Sequence, residues 1–166
     1  MSQPLDIFTL PLQGIQLIEA SAGTGKTWSI ASLYVRLVLG HGVFAESLGR
    51  PLLPREILVV TFTKAATEEL KDRIRNRLNE TAEYLRHPDP SLKDALLERL
   101  LETYPDDAER EAAAYQLHLA AESMDEAAIS TIHGWCQRML KQHAFDSGAL
   151  FDETLAEDHQ ALLQAC

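Results

Sequence analysis

The sequence predicts an α/β fold, in which a parallel sheet is flanked by helices and interrupted by an acidic helical insertion. Three short apolar runs, at 15–20, 56–62 and 127–132, alternate with stretches of helical periodicity. Strands that alternate with helices are typical of a parallel sheet. The insertion is predicted from its charge, because residues 89–126 contain eleven acidic and three basic side chains.

The first run, "IQLIEA" (15–20), ends in small residues and predicts a buried strand. A helix is predicted over 27–39 from apolar residues at helical spacing, with Gly40 as its C-terminal stop. The Gly- and Pro-containing residues 41–54 predict a loop between this helix and the next strand.

The second run, "EILVVTF" (56–62), is rich in β-branched residues and predicts another buried strand. Apolar residues then recur every three or four positions from Lys64 to Arg86. This spacing predicts an amphipathic helix, and the dipeptide His87-Pro88 ends it because proline disfavours helical conformation in the residue before it.

Residues 91–123 are predicted to be helical and acidic, with a break near Tyr104-Pro105. The third apolar run, "AAISTI" (127–132), predicts a short strand, and 132–144 a further helix. We therefore expect residues 1–88 to form a core with the first two strands, 89–126 the insertion, and 127–151 the third strand and helix of that core. Residues 152–166 would begin a further segment, truncated in the middle of a helical pattern.

Composition excludes several classes of protein. The chain has 166 residues, of which 46% are hydrophobic and 24% charged, a balance typical of a globular protein. The net charge of −10 argues against a protein that coats nucleic acid, although Lys64–Arg77 has five basic and three acidic residues and would allow a local contact. The sequence contains no signal peptide or apolar run of membrane-spanning length, so we expect a cytoplasmic protein without membrane contact.

The octapeptide A-S-A-G-T-G-K-T at 20–27 matches the phosphate-binding P-loop pattern except that alanine replaces the first glycine. Gly23 and Gly25 allow the backbone to turn its N–H groups toward an anion. Lys26 can reach the outer phosphates of ATP, and the Thr27 hydroxyl can bind Mg²⁺. The predicted nucleotide-binding residues are Ala20, Ser21, Ala22, Gly23, Thr24, Gly25, Lys26 and Thr27; of these, Lys26 and Thr27 are the predicted catalytic pair. The alternative is a glycine-rich turn without a ligand.

Two further motifs follow the second and third predicted strands: "VVTFTKAATEEL" (59–70) and "STIHGWCQRML" (130–140). Together with "EASAGTGKT" they resemble, in order and separation, the first three motifs of superfamily 1 DNA helicases. The resemblance is greatest to the RecB family, the beta subunits of exodeoxyribonuclease V, and runs from about Leu10 to Phe151. It implies a P-loop NTPase (RecA-like) sheet and an N-terminal fragment with an incomplete motor domain.

The resemblance implies that the loops after these two strands contact single-stranded DNA. The hydroxyls of Thr61, Thr63 and Thr131 can donate to phosphate, Phe62 can stack on a base, and Lys64 and His133 can contact the backbone. Each residue type also has a structural interpretation. Phe62 would suit a hydrophobic core, Thr63 an N-cap, and His133 a structural role. Gln13, which precedes the loop, either recognises adenine, as in related helicases, or lies in a surface turn.

Function and partners are likewise implied by the resemblance. A complete RecB-type subunit would use ATP and Mg²⁺ to unwind and degrade duplex DNA ends in recombinational double-strand break repair, in a heterotrimer with RecC-like and RecD-like subunits. It would bind both single-stranded DNA and duplex ends. The alternatives are another superfamily 1 helicase of the AddA/UvrD type, a small P-loop kinase, or a nucleotide-binding module without catalysis.

One acidic pair imitates a metal-binding motif. "MDEAA" (124–128) contains Asp125 and Glu126, but the strand follows this pair instead of preceding it. We therefore reject both as Mg²⁺ ligands. Since no other acidic pair follows a convincing strand, we expect the chain alone to lack ATPase activity.

Overall fold

The computed structural model describes residues 5–12, 14–19, 23, 25–40, 50–92 and 94–143. This part of the chain is mostly helical, with a small parallel sheet. Its elements are, in order, α1 (Lys26–Leu39), β1 (Val59–Thr61), α2 (Lys64–Arg86), α3 (Ala95–Thr103), α4 (Asp107–Glu122), β2 (Ile129–Thr131) and α5 (Ile132–Gln142), with 3₁₀ turns at Pro54–Glu56 and Ser123–Glu126.

Several helix ends are fixed by hydrogen bonds to neighbouring residues. Gly40 ends α1 in the left-handed conformation, with φ of +66°, and its N–H donates to carbonyls in the last turn. The carboxylate of Asp94 accepts hydrogen bonds from the first N–H groups of α3, and that of Asp106 does the same for α4. Tyr104 and Pro105 separate the two helices as predicted.

β1 and β2 pair in parallel, with Val59 opposite Ile129 and Thr61 opposite Thr131. Both strands lie inside the predicted runs but are only three residues long. The predicted strand at 56–62 is shortened at its start because Glu56 belongs to a 3₁₀ turn that begins with proline. That turn is closed by the Glu56 carboxylate, which accepts hydrogen bonds from the Leu53 N–H and the Arg50 guanidinium.

The strand predicted at 15–20 is wrong for its described residues, 15–19, which form neither helix nor strand. Ile15 is 100% exposed and Leu17 85% exposed, so the apolar run is not buried here. A strand forms only when another strand satisfies its backbone N–H and C=O groups. In the described part of the chain β1 and β2 pair with each other, and neither pairs with this segment.

The hydrophobic core lies mainly between helices. Its buried side chains come from α1, from α2 and from the predicted insertion, and include Tyr34, Val38, Ile74, Leu78, Leu85, Leu100, Leu117 and Met124. Helix α4 packs along α2 and also contacts α1. The acidic helices therefore share one core with the predicted nucleotide-binding half, while the domain boundaries at 88 and 126 stay predictions. None of the described helices combines the length and the apolarity that crossing a membrane requires.

Candidate functional site

The glycines of the phosphate loop adopt the conformation that the motif requires. Gly23 has φ of +79° and Gly25 φ of +80°, both in the left-handed region that side chains disfavour. Among the described residues, no atom would lie within 4 Å of a Cβ at either position, so these residues give a conformational and not a steric reason for glycine. Ala20, Ser21, Ala22, Thr24 and the predicted adenine contact Gln13 lie outside the described residues.

Helix α1 begins directly after Gly25, which is its N-cap residue. Lys26 and Thr27 thus form the first turn, where N–H groups not bonded within the helix and the helix dipole favour an anion. The C-terminal half of α1 also holds the segment before the loop, because buried Arg36 donates hydrogen bonds to the carbonyls of Ile7 and Leu10. The described half of the predicted loop is therefore compatible with phosphate binding.

A cleft of about 210 Å³ opens between the start of α1 and α2, and Thr27 and Trp28 lie on one side of it. On the α2 side, Arg77 is 7% exposed, and its guanidinium lies 5.4 Å from the centroid of the Trp28 ring. Sequence reasoning missed this pair, because nothing in the spacing of two residues so far apart in the chain indicates that they meet.

The two predicted DNA-contacting loops lie at the same edge of the sheet. Thr61 ends β1 and Thr131 ends β2, and these two residues are register partners. Because the strands are parallel, the loop at 62–63 and the start of α5 leave the sheet side by side. The sequence predicted each loop separately, and the structure brings them together.

Thr63 and Thr131 have the same local role. Each is the N-cap of the helix that follows: the Ala66 N–H donates to the Thr63 hydroxyl and the Gly134 N–H to the Thr131 hydroxyl, both at 3.1 Å. The capping interpretation of Thr63 is confirmed. It does not exclude DNA contact, because a capping hydroxyl accepts a hydrogen bond and keeps its own proton for a phosphate oxygen.

Phe62 is 88% exposed, so the interpretation in which it belongs to the core is wrong for the described structure. Lys64 and His133 are also exposed at this edge. Within the described residues Lys64 makes no ion pair. Two helix N-termini, an exposed lysine, an exposed histidine and an exposed aromatic ring therefore share one surface. Their contact with DNA stays a prediction.

The rejected acidic residue Asp125 has a structural role. It lies before β2, at the sheet end opposite Thr131, and its carboxylate pairs with Lys71 at 3.2 Å and Arg75 at 2.8 Å. The hydrogen bond from Lys71, followed by that from Arg75, holds the pKa of this carboxyl below its usual range. Part of the basic stretch is therefore neutralised by the acidic segment. Among the described residues, no group of three or more His, Cys, Asp or Glu side chains is arranged to hold a metal ion.

Comparison with known proteins assigns the class. The model of the UvrD/REP helicase N-terminal domain matches residues 3–165. The chain belongs to this family of helicase domains.

The chain is similar to proteins named RecBCD enzyme subunit RecB. It is 53% identical to the Escherichia coli (strain K12) protein over the whole chain and 14% of that protein, and 48% identical to the Haemophilus influenzae protein over 96% of the chain and 13% of that protein. The Mycobacterium tuberculosis protein is 35% identical over 80% of the chain. The predicted resemblance to the RecB family is confirmed. The chain spans about one seventh of the length of these relatives.

Proposed function

We propose that this chain is the ATP-binding N-terminal part of a RecB-type subunit, in an ATP-dependent helicase and exonuclease that unwinds and degrades duplex DNA ends in recombinational break repair. Family membership implies use of ATP. The register of the sheet is the observation that supports the proposal most directly. Thr61 and Thr131 are register partners at the ends of β1 and β2, so one DNA strand could contact both of the loops that follow them.

In this proposal the phosphate loop binds ATP, whose hydrolysis supplies the free energy for movement along DNA. Lys26 neutralises charge on the outer phosphates, and the N–H groups at the start of α1 donate to their oxygens. Thr27 lies in the first turn of that helix, and in this proposal its hydroxyl would hold Mg²⁺. Gln13 would select adenine.

Single-stranded DNA would lie along the edge where β1 and β2 end. The side chain of Phe62 stacks on a base, and the protons of the Thr63 and Thr131 hydroxyls are donated to phosphate oxygens. Lys64 and His133 contact the sugar–phosphate backbone. The Thr61 hydroxyl lies within hydrogen-bond distance of Thr63 and Thr67, so its phosphate contact requires a change of hydrogen-bond partner.

The complete subunit would extend this small sheet into a P-loop (RecA-like) motor and would assemble with RecC-like and RecD-like subunits. We place it in the cytoplasm, in contact with DNA and not with a membrane. A protein of the AddA/UvrD type would share the same contacts in this segment, whereas a small P-loop kinase would not respond to DNA.

The experiment measures ATP turnover by a full-length subunit that carries this segment, with and without single-stranded DNA. We expect DNA to stimulate turnover, and Lys26→Met to abolish turnover while DNA binding is retained. Lys141→Met is the matched control, because it removes an exposed lysine in the last turn of α5. Turnover that ignores DNA, or that survives Lys26→Met, would contradict the proposal.

A further inference from the structure

Thr67 joins β1 to α2 through its side chain. It lies in the first turn of α2 and is 8% exposed. Its hydroxyl oxygen is 3.0 Å from the Thr63 carbonyl oxygen and 2.6 Å from the hydroxyl oxygen of Thr61, the last residue of β1. The Thr61 hydroxyl is in turn 3.1 Å from the same carbonyl. These three oxygens form a closed triangle, called the threonine triangle below.

The hydroxyl groups of Thr61 and Thr67 provide two protons for the three contacts of this triangle. In one arrangement Thr67 donates to the Thr63 carbonyl and Thr61 donates to Thr67. In the other, Thr61 donates to the carbonyl and Thr67 donates to Thr61. Both arrangements use both protons and connect the end of the strand to the first turn of the helix.

Only Phe62 and Thr63 lie between the strand and the helix that the triangle connects. The Phe62 ring is 88% exposed. Exposure of a phenylalanine side chain forgoes the favourable free energy of burying it. The threonine triangle ties both ends of this short turn and so keeps the ring from folding back onto neighbouring apolar surface. It therefore keeps the Phe62 ring exposed.

A comparison within α2 separates this arrangement from ordinary helix chemistry. Helical threonines often donate to the carbonyl four residues earlier, and buried Thr81 does so to Arg77 at 2.7 Å. Thr67 makes the same bond to Thr63 but has in addition the contact with Thr61 of the strand.

We propose that Thr67 is a positioning residue for single-stranded DNA: through the threonine triangle it fixes the turn that presents Phe62 to a base. The proposal rests on the proposed function, because it assumes that Phe62 contacts DNA. Thr67 itself is buried and touches no DNA.

The test uses a full-length subunit carrying this segment and a fluorescent oligothymidylate as the probe. Thr67→Val keeps the shape of the side chain and removes the hydroxyl. We expect the Kd for the oligonucleotide to rise roughly 2- to 10-fold, the range expected for one lost hydrogen bond, with unchanged affinity for ATP. Thr67→Ser keeps the hydroxyl and should restore binding. Thr81→Val, the matched control, should bind DNA as wild type does.

A double variant distinguishes positioning from general destabilisation. If Thr67 acts through the ring, Phe62→Ala with Thr67→Val should bind no more weakly than Phe62→Ala alone. The role of Thr67 would be overturned if the losses of DNA affinity in the two single variants added up in the double variant. It would also be overturned if Thr67→Val bound DNA as wild type does while Phe62→Ala bound weakly. Wild-type binding by Phe62→Ala would instead overturn the proposed DNA contact. If Thr67→Val does not fold, Thr67→Ala provides the same comparison with a smaller side chain.

Discussion

The guanidinium of Arg77 connects Trp28 to Asp94: it lies 5.4 Å from the centroid of the indole ring and 2.8 Å from the carboxylate. Trp28 directly follows Thr27 at the start of α1, and Asp94 is the N-cap of α3. One buried cation thus fixes the first turn of the predicted nucleotide-binding helix against the acidic insertion. A cation over an aromatic face is attractive, most strongly for tryptophan.

Asp94→Ala should destabilise the chain by about 3–5 kcal/mol, because it removes the cap of α3 and the nearer partner of the buried Arg77 charge, which among the described carboxylates keeps only that of Glu80 at 4.0 Å. Urea denaturation measures the loss. Asp106→Ala is the control, since it removes an exposed cap of the neighbouring helix and should cost about 1 kcal/mol. Equal losses in the two variants would show that the Arg77–Asp94 pair contributes little.

Phe62→Ala should weaken single-strand binding by a full-length subunit by roughly 1–3 kcal/mol, the value of one base stacked on an aromatic ring. The nucleotide affinity and the melting temperature should stay near wild type, because the ring is exposed. Fluorescence titration measures the binding, with Leu58→Ala as a control at an exposed apolar residue just before β1. A lowered melting temperature with wild-type DNA binding would assign Phe62 to packing.

Lys64→Met should reduce the slope of log affinity for single-stranded DNA against log salt concentration by roughly one unit, if the ammonium contacts a phosphate. Titrations at several salt concentrations give this slope. Lys141→Met, at an exposed lysine near the end of α5, should leave it unchanged. If wild type, Lys64→Met and Lys141→Met all gave the same slope, Lys64 would not contact DNA as proposed.

The 166-residue chain alone should bind ATP without turning it over. Its phosphate loop has the required left-handed glycines, but among the described residues no acidic pair directly follows a strand in the position of a metal-binding motif. Equilibrium binding and phosphate release, measured on the same preparation, test both halves of this prediction. Turnover that Lys26→Ala abolishes would refute it and would restore Asp125 and Glu126 as candidates.

Acid should weaken the turn before β1. Hydrogen bonds from Arg50 and then from the Leu53 N–H lower the pKa of Glu56 from 4.5 to about 2. Because folding favours the charged form, the contribution of Glu56 to stability is complete above about pH 4.5 and is lost as the pH falls to about 2. Glu56→Gln should therefore flatten the dependence of the unfolding free energy on pH in this window. Glu102→Gln, at an exposed glutamate of α3, should not.

The sequence by itself determined the features that depend on neighbouring residues. Apolar residues at helical spacing predicted α2 over its full length. Thr63, which caps the start of α2, and Gly40, which ends α1, both act through hydrogen bonds within one helical turn. The phosphate-loop motif was likewise recognisable because its residues are contiguous. A few adjacent side chains carry all the information that such features need.

Only the tertiary structure decided which distant segments meet. The apolar run at 15–20 has the composition of a strand, yet its described residues have no pairing partner, whereas the run containing β1 finds one in β2. The contacts of Arg77 with Trp28 and Asp94 likewise join separate elements. Hydrophobic pattern identifies residues that favour burial or pairing, but a backbone hydrogen bond or a buried charge is satisfied only by a partner that the whole fold brings into contact.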